Sequence, residues 1–480
     1  HNGSRGLGDV YKRQIKHFGR ESLSHDPVHG YIPFVSPLNL SPGEVSEQTI
    51  IENPWVQRLR HIHQLQTAWW VFPSAEHTRF QHVLGVMHLG SRLAQQLYPT
   101  LRETHPSCPS LGYVESLLRM TGLLHDVGHG PFGHFFDSHF LSQFDLTHET
   151  VGKVIVEHEL GSLLKGIRRT PNEELLESET LDPEQISWLI CRPKQNEVPD
   201  QPSWLVALRS LLSGIYTIDN MDFVLRDAYM SGYSLRSFDL DRLIRYSFFS
   251  PSGLTIVDRG IEALVRFMSV RADLFRTIYF HRSIRAIDLT LEDLFRDSRE
   301  FLFPGNPLEH LDDYLEFTES SLLVDVARWH RHTDRKIQTL GEQWKKFLSR
   351  DTPWKMACQR TQTYTEGESE STSIFSDSTF VEKRLREHLP RDLQQLPIRV
   401  DMARHMHRPN TRGPASGQNF LFDSSRQITR PLSKHDLYQR LPISARICRI
   451  YVRDESVASK VASAFDKIAG DHGTDDLTNM

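Results

Sequence analysis

Apolar residues recur at helical spacing through the first two thirds of the chain. In residues 53–66 (NPWVQRLRHIHQLQ) Val56, Leu59, Ile62 and Leu65 fall three apart and Pro54 suits a first helical turn, so the pattern predicts an amphipathic helix. The same reading predicts helices over 80–98, over 114–126 with Gly128 and Gly130 as stops, and over 204–212, 215–230 and 261–295. Strand-like alternation is scarce there, and residues 15–345 read as one mostly helical domain. The character then changes. Residues 346–380 read as a connecting region, because 359–379 is rich in Ser, Thr and Glu and has the composition of a linker. Short apolar runs at 419–422 and 445–452 predict strands and 455–468 predicts a closing helix, so 381–468 reads as a small α+β module with a polar tail at 469–480. Residues 1–14 have no apolar run and no starting Met, and read as a scar or a disordered edge. The expected fold is mostly α, a helical core with a small C-terminal α+β module.

Composition narrows the picture. A length of 480 residues gives a prior of about three domains. No run of about 18 apolar residues predicts a membrane helix. Cys108, Cys191, Cys358 and Cys448 lie far apart with no CxxC pair, which argues against a disulfide framework or a thiolate zinc site and points to a reducing, cytoplasmic setting. Charge is unevenly spread: residues 381–460 hold sixteen Lys or Arg against eight Asp or Glu, in a chain whose net charge is -5. That basic module suggests a subunit interface, a solvated face or, more weakly, a nucleic-acid surface. Histidine is concentrated elsewhere, with twelve of 25 between residues 61 and 158. Histidine is the commonest metal ligand and the usual proton carrier near neutral pH, so this clustering asks for a chemical cause.

His-Asp occurs at His25-Asp26, His125-Asp126 and His435-Asp436, so the dipeptide alone proves nothing. Only His125-Asp126 ends an apolar helix and runs into VGHGPFGHFFD, with His129 and His134 close behind. An imidazole and a carboxylate at one helix end suit Fe, Mn, Zn or Co. His82, at the start of the preceding helix, would come beside that end in an antiparallel hairpin. On the helix over 215–230, Ile215, Asp219, Asp222 and Arg226 share a stripe. Asp222 and Arg226 read as a plain i,i+4 ion pair, while periodicity leaves Asp219 open between a ligand and a surface acid.

The order H…HD…D resembles that of the HD-domain metal phosphohydrolases and, more narrowly, the HD-domain deoxynucleoside triphosphate triphosphohydrolases of vertebrate cells, without their SAM domain. The similarity runs through DPVHGYI (26–32), IIENPWVQRLRHIHQL (50–65), WWVFPSAEHTRFQHVLGV (69–86), LLHDVGHGPFGHFFD (123–137), THE (147–149), IDNMDFVLRD (218–227) and RADLFRTIYFHR (271–282), and more loosely through LYQRLPISARICRIYV (437–452). The resemblance implies an HD-domain helical core whose metal ligands are His82, His125, Asp126 and Asp219. It implies His148 oriented by Asp137 as the catalytic pair, with His134 placed to protonate the leaving 5′ oxygen; a helix-capping role for His148 stays open beside this. Arg79, His129 and Arg271 match phosphate-holding positions. Gln64, Leu65, Asp227 and Tyr279 match positions around the deoxyribose, where crowding at the 2′ carbon disfavours a ribose; Leu65 taken alone also suits a core.

Departures from the family pattern shape the expectation. Asn220 stands where a phosphate-binding Lys is usual, Phe223 where a Tyr is usual, and Phe275 replaces a His near the base. Glu52, Gln57 and Arg60 match positions that read a regulatory guanine nucleotide, yet Ser22 and His25 replace a Lys and an Asn of that site. The function implied is hydrolysis of deoxynucleoside triphosphates to deoxynucleoside and triphosphate, with a divalent transition metal in the HD site, Mg on the nucleotide, and a homo-oligomer, dimer or tetramer. Asn220 and Phe223 favour the rival, a phosphohydrolase of another nucleotide or phosphate ester. A nucleotide- or nucleic-acid-binding regulator is the non-enzymatic alternative.

Overall fold

The computed structural model describes residues 21–191, 201–365, 373–406 and 419–469. The end read above as a scar (1–14) lies outside the described residues, as does the tail (469–480) beyond Ala469, which closes the last helix. In chain order the elements used below are strands β1 (Glu21–Asp26) and β2 (Gly30–Val35), and helices α1 (Arg79–Thr104), α2 (Leu111–Leu124), α3 (His134–His139), α4 (His148–Val154), α5 (Pro183–Ile190) and α6 (Ile218–Met230). Then come β3 (Ser247–Ser250), β4 (Gly253–Val257), α7 (Ile261–Leu274), α8 (Arg282–Leu302) and α9 (Arg335–Leu348). The C-terminal part holds β5 (Lys355–Tyr364), α10 (Ser378–His388), β6 (Ile398–Met406), β7 (Phe420–Asp423), β8 (Ile428–Pro431), β9 (Ser444–Val452) and α11 (Ala458–Ala469). Helix makes up 56% of the structure, so the mostly α expectation holds.

The centre is the pair α1 and α2, buried on nearly every side. They approach closely because Gly90 and Gly122 face the partner backbone; a Cβ on Gly90 would sit 2.7 Å from the Leu118 carbonyl oxygen and one on Gly122 2.8 Å from that of Val86. The pattern predicts a helix ending at Tyr98, just before Pro99. The helix instead continues to Thr104, held by buried Leu97 and Leu101 and by Thr100, whose Oγ1 accepts the Phe249 N–H of β3 at 3.0 Å.

Two predicted helices are broken. Residues 54–57 form one helical turn and 58–61 a tighter 3-10 turn, after which Ile62 is extended. The chain opens because residues 62–64 pair with 77–79: Arg79 N–H donates to the Ile62 carbonyl and Gln64 N–H to that of His77, both at 3.0 Å. Val56, Leu59, Ile62 and Leu65 are all buried nevertheless, so the apolar stripe was real and only its conformation differs. The predicted helix over 261–295 ends α7 in a π-helical turn, Phe275–Tyr279, and restarts as α8 after an extended His281.

The stretch read as a linker also differs. Residues 359–364 belong to β5, the edge of an antiparallel sheet ordered β5-β9-β6. An edge strand keeps one flank wet, which is why its sequence reads as loop-like. Residues 366–372 lie outside the described residues. β7 and β8 join a second sheet, ordered β3-β4-β7-β8, in which β7 runs parallel to β4. The C-terminal segment is thus shared between its own sheet, whose core includes Cys448, Ile450, Val461 and Phe465, and a sheet of the helical body. All four cysteines are free. Among the described residues no helix is long and apolar enough to cross a membrane.

Candidate active site

Three helix ends converge on a buried polar group. His82 comes from the first turn of α1, His125 caps the end of α2, Asp126 follows it, and Asp219 lies in the first turn of α6. One donor atom each of His82, His125 and Asp219 lies within 4.8 Å of the others. His82 Nε2 is 3.2 Å and His125 Nε2 3.8 Å from Asp219 Oδ1. Asp126 stands at the edge of this group: its Oδ1 is 3.3 Å from His125 Nε2, while Oδ2 takes Arg79 Nη1 at 2.6 Å. Burial opposes ionisation of both carboxyls, but His125, Arg79 and His129 hold Asp126 well below the usual range, and the His82 hydrogen bond with the His125 charge lowers Asp219.

The two imidazoles are oriented as ligands. His125 Nδ1 donates to the Gly122 carbonyl at 2.8 Å and His82 Nδ1 to Asp222 at 2.8 Å, leaving each Nε2 toward the centre. Burial pushes His82 down, yet hydrogen bonds to Asp219 and Asp222 raise it to about 10. Two imidazole nitrogens with carboxylate oxygens fit a divalent transition metal.

A second group adjoins the first. Asp137, in the first turn of α3, accepts His148 Nδ1 at 2.5 Å and His134 Nδ1 at 3.2 Å on one oxygen. Burial opposes its ionisation, but the His129 ring and the His134 and His148 donors hold it well below the carboxylate range. His148 stacks on His129, with centroids 3.8 Å apart. His129 is wholly buried, and burial together with Arg79 and His148 keeps its imidazole neutral. His134 sits at the mouth, its side chain 71% exposed. The capping alternative for His148 fails, because Thr147 caps α4 through its hydroxyl.

Both groups face one cavity of about 670 Å³, whose walls also include Gln64, Leu65, Arg79, Phe223, Asp227 and Tyr279. Asp227 Oδ2 accepts the Tyr279 hydroxyl at 2.5 Å and Oδ1 the Nε2 of buried His77 at 2.7 Å. Burial and Asp227 hold the Tyr279 hydroxyl well above its ordinary pKa, so it remains a donor. Three expected substrate contacts are not among the cavity's lining residues. Asn220 is buried on α6, its N–H taken by the Thr217 cap; Arg271 lies over the Phe275 ring; His129 lies beneath His148. Phe275 does line the cavity.

Sequence reasoning missed other residues. Asp222 does pair with Arg226, at 2.9 Å, but it also holds His82 and His29. Arg285 and Asp288 line the cavity a few residues past the motif that ends at Arg282, and His77, inside the motif over 69–86, is a single histidine with no periodic signal. Glu52, Gln57 and Arg60 lie away from the cavity. Arg60 Nε donates to Gln57 Oε1 at 2.8 Å and its guanidinium covers Phe80, while Glu52 accepts from Gln48 at 2.6 Å.

Such a histidine-and-aspartate cluster between helix ends could hold a metal ion. Residues 79–195 match the HD domain family. Beyond that segment the chain is similar to the deoxynucleoside triphosphate triphosphohydrolases named SAMHD1. It is 29% identical to the Bos taurus protein of that name over 62% of this chain and 49% of the relative, and 28% identical to the Homo sapiens protein over 63% and 46%. It is 26% identical to the uncharacterized protein YwfO of Bacillus subtilis over 69% of this chain and 70% of that one. The chain therefore spans about half the length of the SAMHD1 proteins it matches. Its fold is that of a hypothetical protein from Aquifex aeolicus whose crystal structure superposes with a TM-score of 0.65, at 23% identity over 92% of this chain and 99% of that chain.

Proposed function

We propose that the chain hydrolyses deoxynucleoside triphosphates at the α-phosphate, releasing deoxynucleoside and intact triphosphate. The observation that carries this reading is the meeting, in one cavity, of a cation-ready His82–His125–Asp219 group, the Asp137–His148 pair and the acceptor carboxylate Asp227. His82, His125, Asp126 and Asp219 would hold a divalent transition metal, which when bound supplies positive charge against the phosphate oxygens. Asp137 fixes His148 with its Nδ1–H inward, so that Nε2 serves the reacting phosphate. As water oxygen bonds to the α-phosphorus and the bond to O5′ breaks, the water's proton would pass to His148 Nε2 and His134 at the mouth would give a proton to the leaving 5′ oxygen. Arg79, which lines the cavity, would offer charge and donors to the phosphate chain; Arg271 and His129, the other two expected phosphate contacts, would take part only if the site rearranges around substrate.

Asp227 is already loaded with the Tyr279 and His77 donors, and it accepts a sugar 3′ hydroxyl as a further donor, with Gln64 beside it. Leu65 and Tyr279 close the space at the 2′ carbon. A ribonucleotide would bury an unpaired hydroxyl there at a cost of about 1–3 kcal/mol, or roughly five- to 150-fold in kcat/KM. A second reading, a phosphohydrolase of another nucleotide or phosphate ester, is favoured by Phe223 in the cavity wall and Asn220 off it. Regulation through Glu52, Gln57 and Arg60, Mg on the nucleotide and assembly into a homo-oligomer belong to the proposal as well.

One assay separates the readings: incubation with a panel of deoxyribo- and ribonucleoside triphosphates, resolving triphosphate from pyrophosphate. Triphosphate with deoxynucleoside is expected, with the ribonucleotides slower by the factor above. Monophosphate and pyrophosphate as products would refute the alignment, and preference for a substrate lacking a triphosphate would favour the second reading.

A further inference from the structure

The hairpin motif Asp26–His29 takes no part in the chemistry proposed above, yet it reaches the centre of the molecule. Asp26 Oδ1 accepts the backbone N–H groups of Val28 and His29, each at 2.9 Å, and so closes the β1–β2 turn; its Oδ2 takes Arg226 Nη1 at 2.8 Å. The His29 side chain is 1% exposed and its Nε2 lies 2.7 Å from Asp222 Oδ1. Asp222 is wholly buried and receives four donors, two on each oxygen. His29 Nε2 and Arg226 Nη2, the latter at 2.9 Å, share Oδ1. His82 Nδ1 at 2.8 Å and Arg226 Nε at 2.9 Å share Oδ2.

A carboxylate only accepts, so the bond from His82 Nδ1 decides which nitrogen of that ring is committed and which faces Asp219. The other three donors decide where the carboxylate stands. Helix α1 leaves room for it at Gly85, where a Cβ would fall 1.9 Å from Asp222 Oδ1. Buried groups that turn a ligand histidine control its rotamer and basicity as much as the ligand itself does.

We infer that His29 and Asp222 are positioning residues of the candidate metal centre: the N-terminal hairpin locks Asp222, and Asp222 holds His82 with Nε2 toward Asp219. The inference rests on the reading of His82, His125 and Asp219 as metal ligands. It also explains why a motif nearly 200 residues from Asp222 belongs to the same centre, since Arg226 bonds Asp26 across a separation of 200 residues.

The test is titration of the metal-stripped full chain with Mn²⁺ against a chelator, with circular dichroism melting of each variant. Asp222→Asn is expected to weaken Mn²⁺ binding about 10- to 100-fold. His29→Ala should weaken it by about tenfold, whereas His29→Gln, which keeps a donor facing Asp222, should stay within about threefold of the unmodified chain. Gly85→Ala, by displacing Asp222, should fall with the weak binders. Should Asp222→Asn fail to fold, the His29 pair still decides, because Arg226 continues to hold Asp222 in both. Equal affinity in His29→Ala and His29→Gln, or unaltered binding in a folded Asp222→Asn, would overturn the inference. Loss of binding in His82→Ala with no loss in those variants leaves the metal reading standing and removes only the positioning role; no Mn²⁺ binding by the unmodified chain removes the metal reading itself.

Discussion

At the residue scale, the pair Asp137–His148 is the sharpest object in the site. A 2.5 Å hydrogen bond from Nδ1 leaves His148 one free nitrogen, and the stacked, neutral His129 ring holds the imidazole plane. His148 belongs to the His129–His134–Asp137 group and not to the His82–His125–Asp219 group. His148→Ala should therefore lower kcat by about 10²- to 10⁴-fold while the protein keeps its full metal content. Rate measurements beside elemental analysis check this; metal lost together with activity would mean that the two groups are one. His134 shares the same Asp137 oxygen at 3.2 Å but is 71% exposed, whereas the His148 side chain is 13% exposed.

At the element scale, the site depends on how closely α4 is pressed onto the loop after α2. Gly128 makes that approach: a Cβ there would stand 2.1 Å from the His148 carbonyl oxygen and 2.4 Å from the Gly152 nitrogen. Both are backbone atoms and neither can swing aside. Gly128→Ala should push the start of α4 outward, costing about 1–3 kcal/mol of stability and moving His148 away from Asp137. A displacement near 1 Å is enough to cost about a hundredfold in turnover. Denaturant unfolding and steady-state kinetics test the pair of effects together, and unchanged turnover would show that α4 is not held by this contact. The same dependence on element packing explains the π turn at Phe275–Tyr279, which ends α7 one step out of register and brings the Tyr279 hydroxyl to Asp227.

At the scale of the whole molecule, the C-terminal sheet is wired to the cavity wall. Arg285 of α8 donates to Asp401 of β6 at 2.6 Å and to Asp288 at 3.2 Å, and Asp288 accepts Gln66 and Thr67, next to Gln64 and Leu65. Burial raises the Asp288 carboxyl even against Arg285 and its donors. Some of the module's basic charge is spent at Asp293 of α8, which pairs with Arg399 and lies 3.8 Å from Arg453. Asp401→Ala should thus destabilise the fold by about 1–3 kcal/mol and raise KM, because the freed Arg285 loosens the wall that carries Gln66. Urea unfolding with substrate titration measures both; a stable variant with unchanged KM would separate the sheet from the site.

Much of this was legible in the chain itself. Periodicity located α1, α2 and α6, and the apolar run ending in His125-Asp126 marked a helix terminus, because side chains three and four apart share a helical face whatever surrounds them. The resemblance then drew His82, Asp137, His148 and Asp219 to one place, and the structure brings these four around one cavity. What local pattern could not decide were the positions where a long-range partner outbids helix propensity: the opening of 58–64 to pair with 77–79, the passage of α1 through Pro99, and the edge strand hidden in a linker-like sequence. The reason is the same in each case. Hydrogen bonds and burial supplied from far along the chain enter no local window, and Asp222, read from its neighbours as half of an i,i+4 ion pair, acquires its hold on His82 and His29 only when two distant segments close around it.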